Sequence, residues 1–135
     1  MNLRKFAILL ALNIFILFVG CSTIVNLTGT VPTVTGTVPQ NGSQDVDPSL
    51  TEVRVSFSKP MMDKSWSWCW EDKTAFPEMT DSPRYTNDGI TNILPVKLEA
   101  NKEYIIWINM EKFTSFKDKS GLSVKPYRLT FKTRN

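Results

Sequence analysis

From about residue 50 onward, apolar and polar positions alternate with a period of two rather than 3.6. Val53, Val55 and Phe57 alternate with Glu52, Arg54, Ser56 and Ser58, which predicts a strand with one buried face. Trp66, Trp68 and Trp70 alternate with Ser65, Ser67, Cys69 and Glu71 in the same way. As a strand, that segment would carry its tryptophans in a row on one face, about 6.6–7 Å apart. Tyr104, Ile106 and Ile108 alternate with Ile105, Trp107 and Asn109. Both sets are largely apolar, so this strand is expected at the centre of a sheet and covered on both faces. Tyr127, Leu129 and Phe131 alternate with Arg128, Thr130 and Lys132 in a last strand. Two shorter strands are expected at Pro83-Arg84-Tyr85 and Ile93-Leu94-Pro95-Val96.

Turn chemistry separates these runs: Gln40-Asn41-Gly42-Ser43, Asn87-Asp88-Gly89, Glu99-Ala100-Asn101-Lys102 and Asp118-Lys119-Ser120-Gly121. Pro60 ends the first strong strand, since it lacks an N–H and biases Lys59 away from helical backbone. Met61 and Met62 are then placed to fill the irregular end of the core. No segment after Cys21 offers a long, capped amphipathic helix. Short strands at this spacing predict an all-β sandwich of about seven antiparallel strands.

The N-terminus has a different grammar. Arg4 and Lys5 precede an apolar stretch from Phe6 to Val19, which ends in Leu17-Phe18-Val19-Gly20-Cys21. This is the order of a secretory signal, and it is too short for a comfortable membrane span of roughly 20 residues. An uncleaved anchor fits less well, because the run is short and broken by Asn13. Ordinary signal-peptidase cleavage fits less well too, since no Ala-x-Ala-like site precedes Cys21. From Ser22 the chain is rich in Thr, Val, Gly and Pro and uncharged, which reads as an extended tether. Gly29-Thr30-Val31-Pro32 returns as Gly36-Thr37-Val38-Pro39 and reads as low complexity rather than a structural repeat. The expected organisation is a signal at 1–20, a tether at 21–34 and a sandwich at 35–135. Val34 and Val38 could already reach the sheet.

Composition narrows the chemistry. Without Arg4 and Lys5, the 16 basic side chains become 14 against 13 acidic ones. A near-neutral exported domain has no electrostatic footprint for nucleic acid. The chain has no histidine and two cysteines, so the usual Cys–His and Ser–His activation is missing and no enzyme is expected. Of the two cysteines, Cys21 closes the signal, which leaves Cys69 without a partner for an intramolecular disulfide in the folded domain. Without imidazole, only oxygen-bound cations such as Ca²⁺ come into question, at Asp45, Asp47 and Asp118. Asp-x-Asp is weak evidence beside ordinary turn chemistry, so neither a metal nor a cofactor is expected. Glu71, Asp72, Glu78 and Asp81 lack the pattern of a hydrolytic pair. Lys112, Lys117, Lys119 and Lys125 read as a solvated face.

Two resemblances add to this reading. Leu17-Phe18-Val19-Gly20-Cys21 resembles the lipobox of bacterial lipoproteins, which implies cleavage before Cys21 and diacylglycerol on its thiol. That family pattern, with Ser22 next, implies anchoring in the outer membrane where the cell has one. Further on, Pro39-x-x-Gly42-x-x-x-Val46-x-Pro48 and Val53-x-Val55-x-Phe57-Ser58-Lys59-Pro60-Met61 resemble the opening of the bacterial Ig-like module of the S-layer-protein (SbsA) type. Leu98, Tyr104-x-Ile106-x-Ile108, Asp118-x-x-Gly121 and Phe131 extend the likeness over about 35–133, while the Trp-rich middle departs from it. The likeness implies an Ig-like sandwich used as a structural or interaction module, without catalytic residues. Trp66, Trp68 and Trp70 remain the ambiguous feature. They read first as core, each able to bury about 150–250 Å². The alternative is a platform that binds a glycan or peptide of the envelope.

Overall fold

The structure is a computed structural model, and it describes residues 29–135. The signal, Cys21 and most of the tether lie outside the described residues. The compact unit runs Val31–Asn135. It contains β1 (Val34–Val38), β2 (Ser43–Val46), β3 (Glu52–Phe57), β4 (Trp68–Cys69), β5 (Glu78–Met79), β6 (Arg84–Tyr85), β7 (Thr91–Lys97), β8 (Glu103–Ile108) and β9 (Tyr127–Thr133). One sheet has the order β1-β3-β7-β5, with β6 also paired to β7; the other has the order β2-β9-β8-β4.

The period-two segments form the interior. Val53, Val55 and Phe57 of β3 face Tyr104, Ile106 and Ile108 of β8 and Leu129 and Phe131 of β9 across one buried cluster. Leu94 and Val96 of β7 join them, and Met61 closes one end at 1% exposure. Ile105 and Trp107, on the other side of β8, are half-buried, so the expectation of two covered faces holds only in part. β7 is buried from Asn92 to Val96 despite Pro95. Its far edge is divided: β6 pairs with Asn92 and Ile93, and β5 with Val96 and Lys97. The proline sits between these two partners, where a continuous ladder is not needed.

Two expectations are corrected in detail. Among the described residues there are nine strands rather than about seven, because β2 and the two-residue β5 show no apolar–polar alternation to read. One pair is parallel: Ser43 lies opposite Phe131 and Val46 opposite Thr133. Val34 pairs with Phe57 in β1 and Pro32 is buried, so residues 31–34 belong to the folded unit.

The long segment between β8 and β9 is built around side chains instead of a ladder. Asn109 is fully buried, with a positive φ of 61°, a conformation asparagine tolerates better than most residues. Its amide donates to the carbonyls of Phe116 (3.0 Å) and Val124 (2.9 Å) and accepts from the Phe116 N–H (2.9 Å). Asp118, also buried, accepts from the amides of Ser120 (2.9 Å) and Leu122 (3.0 Å) and from Lys59 Nζ (3.0 Å). Both residues keep backbone groups satisfied where no strand passes.

Candidate functional site

The tryptophan segment does not form one regular strand. Ser65 donates its hydroxyl to the Ser115 carbonyl (2.6 Å), and Ser67 Oγ accepts from the Ser115 N–H (3.0 Å). These contacts bind residues 65–67 to the 109–126 segment, and only Trp68 and Cys69 enter the ladder with β8. The three rings therefore meet three environments. Trp66 is half-buried, 6.3 Å from the Tyr85 ring. Trp68 is buried at 9% exposure, stands edge-on to Phe116 at 5.3 Å, and donates Nε1–H to Asn92 Oδ1 at 2.8 Å. That bond ties one sheet to the other. Trp70 follows the strand end and is 47% exposed.

The segment after Trp70 is held by its own polar groups. Asp72 caps a 3₁₀ turn at Lys73–Ala75, accepting from the Thr74 N–H (2.9 Å) and hydroxyl (2.7 Å). The turn brings Phe76 back to Trp70, with ring centroids 5.4 Å apart, and sets Lys73 Nζ 5.9 Å from the Trp70 ring. Both distances suit aromatic and cation–π attraction. Beyond them runs an open groove of about 630 Å³, floored by Trp70, Phe76, Met79 and Tyr104 and edged by Lys97 and Lys102. Lys102 Nζ donates to Glu99 (3.0 Å) and lies 5.2 Å from the Tyr104 ring. The Glu99 carboxylate, with a smaller contribution from Tyr104, holds its ammonium above the usual lysine range.

On its other side, Trp70 borders a shallow apolar hollow of about 370 Å³, with Trp68, Cys69, Met110 and Phe113. Met110 and Phe113 exchange backbone hydrogen bonds of 2.9 and 3.0 Å across a tight turn, which leaves Phe113 60% exposed. Trp70 is thus shared by two concave surfaces, one edged by amines and one apolar. Such surfaces offer stacking and apolar contact flanked by cations.

Other residues singled out in the sequence sit apart. Cys69 is a free, buried thiol that donates to the Ser67 carbonyl at 3.5 Å. Burial pushes its ionisation up, the opposite of an activated nucleophile. Asp118 is engaged by Lys59 and its own loop, while Asp47 caps Ser49 and pairs with Arg134. Among the described residues, no group of three acidic or thiol side chains gathers as a metal site. The sequence reading missed Asn92, Asn109 and the buried role of Asp118. The only sequence signal for Asn109 was a polar residue closing an apolar strand.

Comparison with known proteins accords with this architecture. No curated protein matches the chain. Among solved structures, the surface layer protein SbsC, domains 1-6, aligns with a TM-score of 0.50 at 19% identity. The S-layer protein rSbsC(31-844) aligns with a TM-score of 0.48 at 18% identity. Each alignment covers 78% of this chain but 14% of the other, so the likeness concerns the fold of one domain. A family model described as a bacterial Ig-like domain matches residues 28–133, most of the chain. The two-sheet sandwich and this match lead to one conclusion: the chain belongs to the bacterial Ig-like domain family.

Proposed function

We propose that this chain is a lipid-anchored protein of the bacterial cell envelope, whose Ig-like domain serves as a non-enzymatic structural or interaction module. The observation that carries this reading is the Leu17–Cys21 run placed directly ahead of a tether and an Ig-like domain. Each acyl methylene buried in lipid contributes roughly 0.8 kcal/mol, and durable attachment takes more than one chain. A triacylated Cys21 meets that requirement. Ser22 beside it supports outer-membrane residence in a cell with two membranes. The absence of histidine and the raised ionisation of Cys69 support a role without catalysis.

Metabolic labelling with a radioactive fatty acid tests the anchor. The wild-type chain should take up label and sediment with membranes, and Cys21→Ala should abolish both. Label retained by that variant would overturn the anchor.

A second reading is favoured by one observation, the exposure of Trp70 between two concave surfaces. In this reading the module binds an envelope glycan or peptide. Stacking then falls to Trp70, flanked by Phe76 and Lys73, instead of to a row of three rings. Trp68 supports the platform from within.

A further inference from the structure

The chain contains the pentapeptide Thr-Gly-Thr-Val-Pro twice, at Thr28–Pro32 and Thr35–Pro39, offset by seven residues. The second copy supplies most of β1. Val34, Gly36, Thr37 and Val38 lie opposite Phe57, Ser56, Val55 and Arg54, with an irregularity between Val34 and Gly36. Val34 packs against the core, Thr37 Oγ1 donates to the Pro39 carbonyl at 2.8 Å, and Pro39 is buried. Upstream, Thr33 donates its N–H to Ser58 Oγ (3.0 Å) and its carbonyl accepts from the Ser58 N–H (2.9 Å). Val31 and Pro32 line a cleft with Val124, Pro126 and Tyr127.

Drawing the chain along by seven residues would bring an equivalent residue to each of these places. Leu27 would replace Val34, and Thr28, Gly29, Thr30, Val31 and Pro32 would meet the contacts of their twins. Asn26 offers the same backbone donor and acceptor as Thr33, and Ile24 and Val25 are apolar like Val31 and Pro32. No charge enters the sheet. An odd-numbered slip normally turns every side chain to the wrong face. Here the seven-residue repeat cancels that penalty, because each arriving residue matches the one it displaces. β1 is an edge strand with a single ladder partner, β3, so exchange breaks one ladder only.

We propose that the edge of β3 is a binding slot for Thr-Gly-Thr-Val-Pro segments, and that Leu27–Pro32 competes with Val34–Pro39 for it. The seven displaced residues pass into the connection before β2, where added loop length carries an entropy cost that grows only logarithmically. The exchange does not depend on the anchor. With Cys21 lipidated, its consequence is a tether shortened by seven residues, about 23–25 Å of extended chain. The envelope module would then have two standing heights.

Site-directed cross-linking in the full chain, with Cys69→Ala, tests the exchange. Val38 faces Arg54 in the observed register, whereas Val31 faces it only after the slip. Arg54→Cys is combined with Val38→Cys in one variant and with Val31→Cys in another. After mild oxidation, the linked peptides are identified by mass spectrometry. The first pair should link nearly completely and the second in lower yield within the same molecule. Adding Leu27→Asp, which would place a charge where Val34 packs, should cut the second link at least tenfold and leave the first unchanged. No intramolecular link at position 31, a link that survives Leu27→Asp, or one formed only between molecules would each overturn the proposal.

Discussion

The two long irregular stretches of this domain are organised in opposite ways. Between β8 and β9, residues 109–126 turn polar side chains inward: Asn109 and Asp118 are buried, and each satisfies several backbone or charged partners. Between β4 and β6, residues 70–83 are held by the surface cap of Asp72 and by the short β5 pairing, and they leave Trp70 and Met79 outside. In the first stretch, polarity serves the fold. In the second, Trp70 and Met79 remain in solvent and do little for it, as Phe113 does at the tight turn of the first. Sequence composition alone would have suggested the reverse assignment, since the run that ends in Trp70 looks like core and the stretch with four lysines looks like a solvated loop.

The sharpest way to break this contrast is Asn109→Ala. It removes three hydrogen bonds and deprives the Val124 carbonyl and the Phe116 N–H of their partner in the interior, while the Phe116 carbonyl keeps the Val124 N–H. Each buried group left unsatisfied costs about 1–3 kcal/mol, so a loss of about 3 kcal/mol or more is expected in chemical denaturation. A loss below about 1 kcal/mol would show that the 109–126 stretch is not built on this residue.

Asp118 gives an effect of intermediate size that depends on pH. Burial opposes its charge, but the amides of Leu122 and Ser120 and the Lys59 ammonium outweigh that, so its carboxyl sits below the usual 3.8. A pKa lowered by folding contributes stability that is present above the unfolded value and lost as pH falls through the folded one. Stability should therefore hold from neutrality to about pH 4 and decline below it. Asp118→Asn should lower stability at pH 7 and flatten part of the acid decline. Asp47, Glu52, Asp72 and Asp88 are lowered as well, so the remaining slope belongs to them. Thermal unfolding of both proteins across pH 2–7 reads the difference.

The smallest stability effect is expected at Trp70→Ala. The ring loses its contacts with Phe76 and with the Lys73 ammonium, both at the surface, so a change within about 1 kcal/mol is expected. The same variant should lose any affinity of the domain for envelope glycans or peptides. Strong destabilisation would move Trp70 into the core and remove the contrast between the two stretches.

How far the sequence was legible depends on whether a contact is local. β3, β8 and β9 follow directly from alternation, because one face of each is filled by the common core. β2 was hidden: Ser43–Val46 buries Val46 alone, and its parallel partner is more than 80 residues away. The tryptophan strand was read too long. Its alternation continues through Ser65 and Ser67, but their hydroxyls engage Ser115, a contact no pattern reveals. The exposure of Trp70 has the same origin, since it depends on where the chain leaves the sheet. Asn109 is unreadable in sequence because the carbonyls it serves lie 7 and 15 residues further on.

The parallel pairing of β2 with β9 has a mechanical consequence. The chain reaches β2 by way of the edge strand β1, so a pull from the N-terminal side passes to the start of β2 once β1 has come away from β3, and a pull at the other end is taken at the end of β9. Tension applied between those two ends drives the strands past each other lengthwise. Such shear loads the cross-strand bonds together, whereas peeling would open them one after another. Arg134 N–H reaches back to the Val46 carbonyl at 2.9 Å and Arg134 Nη2 to Asp47 at 3.1 Å, which extends the clamp past the last paired residue. Under sustained pull, survival is set by the rate of rupture rather than by equilibrium stability. For a domain loaded along its chain, that geometry makes β2 and β9 a catch rather than a zip.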